Sequence, residues 1–338
     1  MKTKNPFKNI QKRVKLFLKR RPHRTLKLTR HRDYTRSLKL PGNIAFTKYV
    51  SKTIWKNRKL FAMLALFYAI LTVFMVGIAS QDTYKTLVDT LNNTSGNLFS
   101  SGFGEIGKAG LLFVTAATGG LSQNLTDIQQ VYTGIITILT WLTSVWLLRN
   151  ILAGHKIKLR DGLYNAGSPI VATFIVALVF LVQLLPIALA IIGYTAASLT
   201  GLLDSGIEAM LFWVVAALLA TLSMYWITST LFALVIVTLP GMYPFKALKT
   251  AGDLVVGRRF RILLRFVWMM FITVLIWAIT MIPLILLDKW IKGLWSAISW
   301  LPTIPVVLLV LGAITIVWIS SYVYLLYRKV IADDAEPA

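Results

Sequence analysis

Six stretches of the chain stay apolar over the length that a bilayer demands: 60–80, 128–148, 170–194, 210–239, 266–287 and 306–327. None of them contains Asp, Glu, Lys, Arg or His. A hydrocarbon core of about 30 Å takes roughly 20 helical residues to cross. The pattern predicts an all-α polytopic membrane protein with six transmembrane helices.

A shorter pattern recurs between the spans. In the stretch 244–266 (PFKALKTAGDLVVGRRFRILLRF), Ala247, Leu248, Ala251, Leu254 and Val255 share one side of a helix, and Lys246, Lys249 and Asp253 take the other. Such a helix can lie at the membrane surface with its lysines toward water and lipid phosphates. Gly257 supplies a break because it tolerates positive φ. Arg258, Arg259, Arg261 and Arg265 then lead into the fifth apolar run, where arginines can snorkel to headgroups. A matching unit precedes the first run. There Phe46, Tyr49, Val50, Thr53 and Ile54 form one face, Lys48, Lys52 and Lys56 another, and Asn57-Arg58-Lys59 follow. The two units align without a gap at an offset of 200. A weaker copy precedes the third run, with Leu159, Leu163 and Ala166 opposite Lys156 and Arg160, then Gly167-Ser168-Pro169. The chain reads as three repeats of a cytoplasmic surface helix plus a transmembrane hairpin.

Charge orients this arrangement. Of 36 basic residues, 32 fall on the side of the N-terminal arm, which predicts cytoplasmic termini by the positive-inside pattern. The opposite side keeps Lys85, Lys108, Lys289 and Lys292, and its largest piece, 81–127, is rich in Gly, Ser, Thr and Asn. A mean hydropathy of +0.69 excludes a soluble domain of this size. Without cysteine there is no disulfide, thiolate nucleophile or Cys-ligated metal. The first apolar run lies too far from the start for a cleaved signal and reads as a signal anchor.

Residues 1–44 form a basic arm, 45–329 the membrane domain, and 330–338 an acidic tail. Residues 1–60 hold 20 basic residues against the single acid Asp33. Phe7, Ile10, Val14 and Phe17 recur at helical spacing, ringed by Lys8, Lys12, Arg13, Lys15, Lys19, Arg20 and Arg21 and ended by Pro22. This is a basic amphipathic helix, the pattern of a membrane-surface binder. Attraction to anionic lipid is worth roughly 1 kcal/mol per basic residue, so lipid headgroups alone account for it. RNA, including that of the ribosome, is the competing anionic partner, although no RNA-binding motif is present.

Residues that carry chemistry are sparse. GFGEIGKA (102–109) has the outline of a phosphate loop, but Ala109 stands where a metal-binding Ser or Thr is needed. His23, His31 and His155 sit beside cations and lack carboxylates at ligand spacing. Asp161 and Asp253 occupy comparable places in two repeats and read as helix caps or partners of a nearby Arg. Pro186 and Pro283 fall inside the third and fifth spans, where proline kinks helices or marks a broken-helix substrate site. Ser223, Thr228, Ser229 and Thr230 in the fourth run can bond helix to helix. No catalytic residue, cofactor or metal site emerges.

The segments ALKTAGDLVVGRRFRILLRF (247–266) and LRDGLYNAGSPIVATFIVALVFLVQLLP (159–186) resemble the membrane domain attached to some bacterial glycerophosphoryl diester phosphodiesterases, and its stand-alone relatives. The likeness extends loosely over 128–327. It implies about six helices built from surface-helix and hairpin units, in a bacterial inner membrane. It implies no activity, because catalysis in those enzymes belongs to a separate soluble barrel that this chain has no room for. The expectation is a non-enzymatic scaffold whose arm binds anionic lipid, open to oligomerisation. A transporter or channel for an uncharged or lipid-like substrate, and a membrane tether for ribosomes or nucleic acid, are the alternatives.

Overall fold

The computed structural model describes residues 40–77, 126–200, 206–295 and 303–335. The amphipathic stretch 7–21 of the arm and the segment 102–109 lie outside the described residues. Within them the chain is helical, with no strand. Six helices are long and apolar enough to cross a membrane. They are α2 (Arg58–Met75), α3 (Asp127–Leu152), α5 (Ile170–Leu199), α6 (Gly206–Ile236), α8 (Arg259–Leu294) and α9 (Thr303–Ala335). Three short helices precede the first member of each pair: α1 (Asn43–Lys56), α4 (Leu159–Ala166) and α7 (Pro244–Val255). The protein is therefore an all-α, multi-pass membrane protein.

Local chemistry sets several boundaries. Thr126 caps α3 by accepting from Gln129 N–H, while the Gln129 side chain accepts from Thr126 N–H, a reciprocal capping box. The Gln129 amide also donates to Val76 O at 2.9 Å, joining the end of α2 to the start of α3. Gly257 stands at φ +78° between α7 and α8, a conformation that costs glycine little. Asp161 Oδ2 accepts from Lys158 N–H at 3.0 Å and so caps α4.

The short helices do not turn their apolar faces to lipid. Ala247, Ala251 and Val255 of α7 are fully buried, and α7 packs on α6 and α5. Phe46 and Val50 of α1 are buried against α9, where the Phe46 ring meets Tyr322 edge-on at 4.9 Å. In α4, Gly162 and Ala166 are buried against α3. Small residues let the backbones approach closely, and protein provides the apolar partner.

This packing follows a rule. α4 and α5 pack on α3, and α7 and α8 pack on α6. α1 and α2 pack on α9. Each short helix and the span after it thus lean on the second span of the preceding unit, and the first unit closes onto the last as a ring of three. The buried and half-buried positions correct the repeat register. Val50, Gly162 and Ala251 are equivalent, as are Ile54, Ala166 and Val255, and then Phe61, Thr173 and Ile262. The first and third units therefore align at an offset of 201, not 200. The gap-free alignment matched the basic junctions, whereas the buried face sets the helical phase.

At Gly162 a Cβ would stand 2.7 Å from Leu147 Cδ2 and 3.3 Å from Thr143 Cγ2. Gly162→Leu is expected to destabilise the protein by about 1–3 kcal/mol, the usual range for overpacking. A denaturant titration in detergent followed by circular dichroism checks this. A change below about 0.5 kcal/mol, the ordinary scatter of surface substitutions, would show that α4 is not held against α3.

Candidate functional site

The sequence marked Lys246, Lys249, Arg258, Arg259, Arg261 and Arg265 as one anion-facing set, and the structure divides it. Lys246, Lys249 and Arg261 are exposed. Arg258 is turned inward: only 3% of its side chain is exposed, Nη1 lies 3.4 Å from Asp333 Oδ2, and the same nitrogen donates to Val330 O. Arg259 donates to Tyr225 O at 2.7 Å, and its guanidinium stacks 3.6 Å over the Tyr225 ring. Arg265 donates to Pro41 O, and its own carbonyl accepts from the Tyr322 hydroxyl. Three of the four arginines therefore tie helices together. Their clustering before an apolar run resembled a headgroup anchor, but side-chain partners beyond the run are invisible in local sequence.

What remains exposed is a cationic collar on the short helices and their junctions. α1 and its junction present Lys48, Lys52, Lys56, Arg58 and Lys59, and α4 with the loop before it presents Lys156, Lys158 and Arg160. α7 presents Lys246 and Lys249. Each short helix also exposes a large aromatic side chain: Trp55 on α1, Tyr164 on α4 and Phe245 on α7. Arg58 stacks 5.4 Å from the Trp55 ring centroid. Cations near aromatic rings, amphipathic in Trp55 and Tyr164 and apolar in Phe245, suit the membrane–water interface, where the ring meets the acyl boundary and the charge meets phosphate.

The two prolines do not interrupt their helices. α5 runs through Pro186 and α8 through Pro283, and Pro283 faces outward. Gln183, one turn before Pro186, accepts from the Thr230 hydroxyl at 2.6 Å and links α5 to α6. Among the described residues no three of His, Asp and Glu gather at metal-ligand spacing. His155 is exposed.

The polar residues singled out in the fourth run, Thr228 and Ser229 among them, belong to a polar seam that recurs in the other two second spans. The second span of every unit carries the same Trp-x-(Ser/Thr)-Ser pattern: Trp141-Leu142-Thr143-Ser144, Trp226-Ile227-Thr228-Ser229 and Trp318-Ile319-Ser320-Ser321. Thr143, Ser144, Thr228, Ser320 and Ser321 are fully buried. Their hydroxyls bond carbonyls one turn back in their own helices, which keeps them satisfied in an apolar interior. Tyr68 adds a 2.8 Å hydrogen bond to Thr143 from the facing helix α2. The Trp-x-(Ser/Thr)-Ser pattern marks this seam in the sequence and recurs once in each of the three units already read from the short helices.

Fold and surface together define a polytopic, three-unit helical membrane protein with one cationic side. No family model, curated protein or solved structure matches the chain.

Proposed function

We propose that the protein is a non-enzymatic scaffold of a bacterial inner membrane, with cytoplasmic termini, whose basic arm and collar bind anionic phospholipid. The observation that carries this reading is the pairing, on all three short helices, of exposed cations with an exposed large aromatic residue. The buried faces of those helices are occupied by protein, so the cations and rings are the surface left for lipid. A relationship to the glycerophosphoryl diester phosphodiesterase membrane domain belongs to the same proposal, supported by the hairpin-plus-short-helix repeat.

The test is reconstitution of the full chain in nanodiscs of phosphatidylcholine with a minority of phosphatidylglycerol, followed by measurement of the phosphatidylglycerol enriched around it. Substituting Lys8, Lys12, Arg13, Lys15, Lys19, Arg20 and Arg21 by Gln removes attraction worth roughly 1 kcal/mol each. Enrichment is expected to fall steeply, and that of the unaltered chain to weaken with salt. Equal enrichment in both proteins, or full displacement of lipid by RNA at physiological salt, sinks the lipid reading; the second result favours a nucleic-acid tether.

A further inference from the structure

One face of α6 changes its surroundings partway along the helix. Residues seven apart share a side of a helix. Leu211, Leu218 and Tyr225 are 64%, 65% and 53% exposed, yet Phe232, next in the same line, is fully buried. The neighbouring line repeats the change: Val214 and Thr221 are exposed, and Thr228 and Val235 are buried. The face that packs into the ring near the short helices is therefore bare over the rest of the span. The other second spans differ. Aligned on the Trp-x-(Ser/Thr)-Ser pattern, Tyr225 corresponds to Thr140 and Val317, and Thr221 to Ile136 and Ala313, all four of them buried. Side-chain size explains the contrast. α2 brings Ala65 and Ala69 against Ala313 of α9, where small residues let helices approach. At the offset of 201, α8 carries Phe266 and Met270 in those places. The Phe266 ring packs on Phe232 with centroids 5.5 Å apart, and Met270 is left exposed.

A cation stands at the foot of this bare face. Arg259 of α8 donates through Nη1 to Tyr225 O at 2.7 Å, and its guanidinium lies 3.6 Å over the Tyr225 ring. A guanidinium within hydrocarbon is costly, so this contact marks the edge of the bilayer core on the side of the short helices. The length of α6 agrees. Gly206 to Tyr225 is 20 residues, about 30 Å of helix and one hydrocarbon core. Glu208, in the first turn of α6, stands at the other edge. Counted from Tyr225, Leu222, Leu218 and Val214 climb about 16 Å, close to the depth of one leaflet. A guanidinium carries five N–H donors, and Tyr225 O engages one of them. A planar fork with donors to spare is suited to phosphate oxygens.

We propose that this face binds one anionic glycerophospholipid of the adjoining leaflet, with its phosphate on Arg259 and an acyl chain along Tyr225, Leu222, Leu218 and Val214. Charge at the foot and apolar length above it match the two ends of such a molecule. The second unit alone offers the site, because the positions matching Tyr225 in the other units are covered by protein. The site shares a ligand class with the arm and collar but none of their residues. It rests on the six-span fold, not on the lipid reading of the arm.

The test uses the absence of cysteine from the chain. Val215→Cys, exposed beside the bare line, takes a bimane label, and Leu178→Cys on the exposed surface of α5 takes the same label for comparison. The full chain is reconstituted in phosphatidylcholine with a small fraction of phosphatidylglycerol or phosphatidylcholine brominated in the acyl chain, and quenching is measured. At position 215 the brominated phosphatidylglycerol is expected to quench at about tenfold lower fraction, the scale of one charge-assisted hydrogen bond. At position 178 the two lipids should quench alike. Arg259→Gln should abolish the preference, and Arg259→Lys, which also loses the fork on Tyr225 but keeps the charge, should retain part of it. Arg261→Gln, an exposed neighbour, should leave it unchanged, as should the sevenfold substitution of the arm, which separates this site from the arm. Equal quenching by both lipids at position 215, or a preference that survives Arg259→Gln within twofold, would show that no such site exists. Loss as complete in Arg259→Lys as in Arg259→Gln would leave Arg259 as a helix tie only and overturn the proposal.

Discussion

Asp333→Ala is expected to destabilise the protein by about 3–5 kcal/mol, because it removes the carboxylate facing a buried guanidinium. The side chains of Arg258 and Asp333 are 3% and 7% exposed, with 3.4 Å between Nη1 and Oδ2. The pair joins the start of α8 to the end of α9, so it fastens both members of the third hairpin. The Coulombic gain of such a pair roughly offsets the cost of desolvating it. The loss on mutation arises from the charge left behind, not from the strength of the bridge. Removing both charges in Arg258→Leu with Asp333→Leu should therefore restore most of the stability. Unfolding of the three variants in detergent, followed by circular dichroism, measures the coupling. A loss below about 1 kcal/mol for Asp333→Ala would place the pair among solvent-screened surface bridges and contradict its burial.

The six spans were legible because crossing a bilayer requires an uninterrupted apolar run. The ends were less so. The fifth run starts at Phe266, yet α8 begins seven residues earlier, at Arg259. Charged residues end an apolar run without ending a helix, and Arg259 finds Tyr225 while Arg265 finds Pro41. The amphipathic faces of α1 and α7 were also legible as faces. What covers them was not, since periodicity shows that an apolar stripe is buried without distinguishing lipid from protein. The composition of the stripe held the clue: Ala247 and Ala251, like Gly162 and Ala166, are too small to anchor in lipid but well suited to close backbone approach. The inward turn of Arg258 could not be read at all, because Asp333 lies far along the chain. Arg149 stands alone at the end of its run, and nothing local marks its tie to Thr238.

Phe46→Ala is expected to cost about 3–5 kcal/mol, the range for deleting a fully buried phenylalanine. Phe46 is wholly enclosed and makes an edge-on contact with Tyr322, itself fully buried in α9. Its position gives the loss a meaning beyond a cavity. α4 and α7 each follow closely in sequence on the second span they pack against, whereas α1 reaches α9 from the other end of the chain. That contact, together with the packing of α2 on α9, turns three consecutive units into a ring. Its neighbours share the role: Trp268 of α8 donates to Thr47 Oγ1 at 3.1 Å, and Arg265 donates to Pro41 O. Loosening α1 therefore opens the closure between the first and third units while the junctions of α4 with α3 and of α7 with α6 stay intact. Limited proteolysis distinguishes this from uniform destabilisation. In Phe46→Ala, cleavage should rise in residues 40–57 before it rises at 153–169 or 237–258. Cleavage rising together at all three junctions would show that the units unfold as one and that α1 has no special part in closing them.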